Sequence, residues 1–231
     1  MSDIAFFHPL TFNSPKELTP LQSQALANAK IDNSEIKNAV LASAQNCETP
    51  FTTQIEQMRH DLFYVYKLTE AAYELHDSAG QAGDDYTPEM LLHMDLCGED
   101  ELTASLVGCL DESLFALLDN CDKRMNLKKC TQSLDNIGED LCNIEGAMEE
   151  YHATCKENPH YTENAIPETI DPSWSREEAL HYESRALVQL AERYLQQLSK
   201  RYDLFREDLL LEQKHQNGKG SGPQRDTGPS R

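Results

Sequence analysis

Cations are scarce in this chain. Its 231 residues hold 20 Lys and Arg against 40 Asp and Glu, for a net charge of −20. Between Lys67 and Lys123 lie 55 positions without one basic residue, and 14 of them are acidic. This scarcity excludes a duplex nucleic-acid binder that works through phosphate contacts, because that affinity comes from Lys and Arg. It also argues against adsorption to anionic membrane surfaces. Long apolar runs are missing too. No stretch approaches the ~20 residues that a membrane-spanning helix needs, so direct membrane insertion is not expected. The opening residues, MSDIAFFHPLTFNSPKELTP, lack a basic leader and are interrupted by Asp3, His8 and Pro9, unlike a secretory signal.

Paired cysteines are absent as well. The seven cysteines (Cys47, Cys97, Cys109, Cys121, Cys130, Cys142 and Cys155) are odd in number and form no CxxC. Most fall at apolar helix positions, where a free thiol acts as a small hydrophobe. A reducing, cytoplasmic compartment is the expectation, and delivery of a folded protein into another cell's cytosol would look the same. The sequence carries no GxGxxG after a strand, no GxxxxGK[ST] and no GxSxG. Gly83-Asp-Asp-Tyr-Thr-Pro-Glu89 has acids without calcium-loop spacing.

What is present is helical periodicity. Hydrophobic residues make up 39%, enough for a core, since a chain of this size buries roughly 70% of its unfolded surface. Thr19-Pro20, Thr49-Pro50 and Thr87-Pro88 each pair an N-cap with a proline suited to the first helical position. After Thr19-Pro20 a modest helical stretch carries Leu21, Ala25 and Ala29 and then Ile36, Val40 and Ala44, with Asp32-Asn-Ser34 able to divide it. After Thr49-Pro50 the seam Ile55, Met58, Leu62, Val65, Thr69, Ala72, His76 steps by 3 and 4. After Thr87-Pro88 a short helix is expected to stop at Gly98 as C′. A further helix over 99–125 would point Leu102, Leu106, Cys109, Leu110, Leu114, Leu117, Leu118 and Cys121 inward. The cleanest register follows: Leu127, Cys130, Leu134, Ile137, Leu141, Ile144, Met148, Tyr151 and Cys155, again in steps of 3 and 4. Gly138 and Gly146 sit on this helix, where each weakens it by ~1 kcal/mol relative to Ala or admits a close neighbour.

Prolines 159, 167 and 172 mark an irregular crossover. Ser175-Arg-Glu-Glu178 is a capping box with Trp174 as its staple. It opens the longest helix, over 175–214 and about 60 Å at 1.5 Å per residue, with the stripe Leu187, Ala191, Tyr194, Leu198, Tyr202, Phe205, Leu209. The expected fold is all-α: an antiparallel bundle of five to six helices over 19–214, with 19–48 as a loosely attached part. It would carry an extended N-terminal arm over 1–18, a long C-terminal helix and a disordered tail over 215–231.

Sites with chemistry are few. Glu149–His152 and Glu178–His181 are Glu-x-x-His pairs of the kind that bind two metals in some bundles. However, Glu149 and His152 lie off the core seam, and Glu178 is used by the cap. His93/Cys97 and His152/Cys155 are zinc half-sites, whereas a structural site wants four ligands. We therefore expect no metal, no cofactor and no catalytic residue. The charge offers more. Over 68–175, 24 acids face 5 bases, a field suited to attracting a basic protein partner. The residues taken to carry that contact are Asp95, Glu99, Asp100 and Glu101, placed at a helix exit and the next helix start, together with Phe6, Phe7 and Phe12 of the arm.

The apolar arm Phe6-Phe7-His8-Pro9-Leu10, the acidic cysteine-bearing helical body and the Gly/Pro/polar tail together resemble the small acidic accessory subunits of bacterial type IV secretion coupling complexes. The resemblance is one of organisation and assigns no residue a role. It implies a non-enzymatic cytoplasmic subunit that docks on a coupling ATPase assembly and helps recruit effectors. The expected function is thus a non-catalytic acidic adaptor within a larger assembly. The alternatives are an acidic inhibitor that mimics nucleic acid and a secreted bacterial effector that acts by protein binding.

Overall fold

The computed structural model describes residues 18–31, 50–80, 88–121, 126–157 and 166–219. Five helices make up most of these: α1 (Pro20–Asn28), α2 (Pro50–Gly80), α3 (Pro88–Cys121), α4 (Leu127–Glu157) and α5 (Arg176–Lys219). No strand occurs among the described residues, and none of their helices is long and apolar enough to cross a membrane. The all-α reading holds. The arm, with Phe6, Phe7 and Phe12, lies outside the described residues, as does the second half of the 19–48 stretch.

Local chemistry sets the helix starts. α1, α2 and α3 each begin on the proline of a Thr-Pro pair. The Thr19 hydroxyl accepts from the Gln22 N–H, and the Gln22 side chain accepts from the Thr19 N–H, both at 3.1 Å. At α5, Ser175 and Glu178 form the same reciprocal pair at 3.1 and 2.7 Å. Trp174 precedes that box. It stacks on Tyr182 one turn further along, with ring centroids 4.6 Å apart. α1 stops at Asn28, short of the Asp32 break. Lys30 takes a left-handed φ of 54°, and the N–H groups of Lys30 and Ile31 turn back to the Ala27 and Leu26 carbonyls. This is a Schellman ending with lysine in the place glycine usually takes.

Two expected boundaries move. Gly98 does not end a helix: α3 runs unbroken for 34 residues, and no glycine among the described residues has a positive φ. α5 continues past 214 to Lys219, for 44 residues.

The helices run up and down in sequence. Arg59 of α2 reaches Asp111 of α3, Ser113 of α3 reaches Asp140 of α4, and Ser199 of α5 reaches Glu145 of α4. α2 is also antiparallel to α5: Phe51 meets Phe205 at one end and His76 meets Ser184 at the other. α1 lies on α5 through Gln22–Gln189 and through Glu183, which accepts from both Gln24 and Asn28.

The core follows the seams. Ile55, Met58, Leu62, Val65 and Ala72 of α2 and Leu134, Ile137, Leu141, Ile144 and Met148 of α4 are buried, as are all seven stripe residues of α5. α3 departs from its reading. Leu102 and Cys109 face outward, and Thr103 and Val107 take the inner positions. Gly138 allows a close approach: a Cβ there would come within 2.8 Å of the Tyr202 hydroxyl oxygen, which donates to the Leu134 carbonyl. At mid-height Arg201 and Asp61 form a buried pair at 2.6 Å, with Gln57 accepting a second guanidinium N–H.

Candidate functional site

The acidic residues singled out by sequence do not act as a unit. Because α3 passes through Gly98 without a break, no helix starts at Glu99. The stabilisation of Glu99–Glu101 by a helix N-terminus therefore does not arise. Successive residues turn by 100°, so the three cannot share one face. Asp95 and Glu101 are exposed, Glu99 is half-buried, and Asp100 points into the bundle at 2% exposure.

The outward face of α3 is instead a ribbon of exposed acids and apolar groups. Asp95, Glu101, Glu112 and Asp119 are exposed along it. Among them stand Met94, Leu102 and Phe115, each about half exposed or more. Gly98 and Gly108 lie on the same side, and a Cβ at either would touch nothing. Packing within the chain therefore does not require glycine there. Two cations of α2 beside α3 are already engaged. Arg59 forks onto Asp111 at 2.9 and 3.3 Å and lies 5.3 Å from the Phe115 ring centroid. Lys67 pairs with Glu70 and lies over Tyr66. These groups border a cavity of about 940 Å³, which runs between the end of α1 and the α2–α3 surface past Ile31, Phe63 and Val107.

A second feature has no counterpart in the sequence reading. Where α2 and α4 end, the core turns polar. His76 Nε2 and the Tyr151 hydroxyl are hydrogen-bonded at 2.9 Å, and His76 Nδ1 faces the Ser184 hydroxyl at 3.4 Å. Ser184 also donates to the His181 carbonyl. Asp100 Oδ2 stands 4.0 Å from His76 Nε2. Cys155 and Arg185 complete the group, and every member is buried. Four helices contribute to it. Burial holds the Asp100 carboxyl well above its ordinary range, and the Glu99 charge pushes the same way. Burial also pushes the Cys155 thiol up to about 11, against the pull of Arg185. Asp100 is thus an interior carboxyl beside a buried histidine and not part of the exposed acidic surface.

No family model, curated protein or solved structure matches this chain. The resemblance to secretion accessory subunits thus rests on organisation alone, and the geometry carries the argument.

The metal half-sites separate. His152 turns to Glu192 at 2.5 Å, while Cys155 points into the core. Glu178 remains in its capping box, and His181 is fully buried beside Tyr182. The side chain of His93 lies outside the described residues. Among the described residues no three His, Cys, Asp or Glu side chains converge as metal ligands. His76 and Tyr151 occupy regular seam positions, so their burial was legible from spacing. Their pairing across 75 residues left no signal in the sequence.

Proposed function

We propose that this protein is a non-catalytic adaptor that presents the outward face of α3 to a basic protein partner within a larger assembly. The observation that carries this is the ribbon itself: exposed carboxylates at 95, 101, 112 and 119 on a 34-residue helix without a single Lys or Arg. A cation among them would cancel the field, and none is there. The exposed Met94, Leu102 and Phe115 favour a protein over a cleft shaped for rows of phosphates, because interface centres use apolar and aromatic anchors inside a polar rim. The contact has moved from the 95–101 cluster to the whole face, since Asp100 is turned inward. Secretion coupling complexes are the first assembly in which to seek the partner, on the resemblance of organisation.

The test reverses Glu101, Glu112 and Asp119 to Lys. With the co-purifying partner in purified form, association is timed across a range of salt. The reversal should slow association and flatten its salt dependence, because charges at a rim act mainly on the on-rate and are screened within ~8 Å at physiological salt. Helical circular dichroism should be unchanged. Equal rates for wild type and variant at both low and high salt would reduce the ribbon to a solvated face.

A further inference from the structure

Two of the seven cysteines meet where α3 hands the chain to α4. Cys121 is the last residue of α3, and Cys130 lies in the first turn of α4. Their Sγ atoms are hydrogen-bonded at 3.3 Å, and both residues are buried. The backbone on either side fixes this meeting. The Asn126 N–H donates to the Asn120 carbonyl at 3.1 Å, and the Cys130 N–H donates to the Asn126 carbonyl at 2.9 Å. The Cys130 thiol also lies 3.6 Å from the Asn120 carbonyl, and the Asn120 side chain crosses to the Ser133 hydroxyl at 3.3 Å. A disulfide holds its sulfurs about 2.05 Å apart. Closing the pair therefore takes roughly 1.3 Å of travel, shared between two side chains.

The two thiols are unequal. The hydrogen bond from Cys121 holds the Cys130 thiol below its ordinary value against burial, and backbone hydrogen bonds at Asn126 and at Cys130 itself act the same way. The same bond raises the Cys121 thiol, and burial adds to it. We propose that Cys121 and Cys130 form a redox-modification site, at which a peroxide converts the dithiol into a reversible disulfide that ties the end of α3 to the start of α4. Cys130 attacks a peroxide oxygen: an S–O bond forms, the O–O bond breaks, and the thiol proton leaves with the departing oxygen as an alcohol, or as water when the oxidant is hydrogen peroxide. Cys121 then attacks the sulfur of the Cys130 sulfenic acid. The S–S bond forms, the S–O bond breaks, and hydroxide takes the Cys121 proton and leaves as water. Two electrons pass from the sulfurs to the peroxide. The oxidant enters at the joint, because helix ends open more readily than helix middles. In a reducing compartment such a bond is transient and redox-sensing.

Hydrogen peroxide is the probe, applied to the native full-length chain, and the exposed Cys109 and Cys142 are the internal reference. Samples taken over time are unfolded in excess iodoacetamide and mapped by peptide mass spectrometry. A crosslink between Cys121 and Cys130 should appear, lighter than the dithiol by its lost thiol hydrogens, and dithiothreitol should return both residues to the alkylated form. In Cys121→Ser the Cys130 sulfenic acid has no thiol to resolve it, so dimedone should label it about tenfold more than in the wild type. The proposal is overturned if Cys121 and Cys130 both still alkylate as free thiols once Cys109 and Cys142 are fully oxidised. It is equally overturned if the two oxidise without the crosslink, or if dimedone labels Cys130 alike in wild type and Cys121→Ser. Should Cys121→Ser fail to fold, the crosslink map of the wild-type chain decides the matter alone.

Discussion

At the end where α2 begins and α5 finishes, Phe51 meets Phe205 edge-on at 5.5 Å. Two hydroxyls near this end donate to helix carbonyls, Tyr202 to Leu134 and Thr131 to Leu127, beside the side-chain bond from Gln54 to Asp208. At the opposite end, His76, Tyr151 and Ser184 bond to one another, with Asp100 and Arg185 buried around them. In the first case a lost hydroxyl leaves behind a carbonyl that its own helix can still engage. In the second it leaves another buried side chain without that bond. The first end should therefore respond mainly to volume and the second mainly to hydrogen bonding.

The largest effect should come from volume at the apolar end. Phe205→Ala should lower stability by about 3–5 kcal/mol, read as a fall in the urea midpoint at unchanged slope. Leu198→Met nearby should cost less than about 1.5 kcal/mol. Next come paired hydroxyl deletions. Tyr151→Phe takes the partner from His76 Nε2 and should cost about 1–3 kcal/mol, whereas Tyr202→Phe should cost about 0.5–1.5 kcal/mol. Equal costs at the two tyrosines would erase the distinction between the ends.

The glycines of α4 sharpen it from another side. Gly138→Ala pushes a methyl against the Tyr202 hydroxyl and should destabilise by about 1–3 kcal/mol. Gly146→Ala faces open space and should stabilise by up to about 1 kcal/mol. Opposite signs in thermal melts are the expected result.

A further effect is on pH dependence. Burial pushes the Asp61 carboxyl from 3.8 up to about 6, against the pull of Arg201. The folded chain then holds a proton that the unfolded chain releases between those values. Stability from this group is full below the unfolded value and is lost as pH rises through about 6. The wild-type melting midpoint should fall between pH 5 and pH 7, and Asp61→Asn should flatten part of that slope. An unchanged slope in the variant would mean that Asp61 is ionised throughout.

Much of this architecture was legible in the sequence. On α4 every seam position from Cys130 to Cys155 is apolar or a thiol and is buried, so a step of 3 and 4 reads that face and leaves out only its neighbours Ser133 and Ala147. On α3 the inner stripe runs Leu96, Thr103, Val107, Leu110, Leu114, Leu117, Cys121, with Asp100 on its flank. Two polar residues interrupt the period, and Gly98 seemed to end it. A buried acid such as Asp100 is invisible to a count of apolar residues. The acidity of the middle was legible as composition, but which carboxylates face solvent was not. The continuation of α5 to Lys219 shows the converse: polar residues extend a helix when no breaker stops them, whether or not they have a core to face.

The order in which the helices meet has a consequence for how the chain is made. α5 packs most extensively on α2 and only lightly on its chain neighbour α4. Arg201 must find Asp61 across 140 residues. α2, α3 and α4 can assemble as soon as they emerge, since each adjoins the next. The α2 seam opposite them then waits open until the 44 residues of α5 are synthesised. Nascent and truncated chains thus carry an exposed apolar groove with the affinity of the finished core, a species prone to association. The surplus of negative charge between Lys67 and Lys123 is translated before α5. Like charge of that kind opposes the association of half-built chains by mutual repulsion.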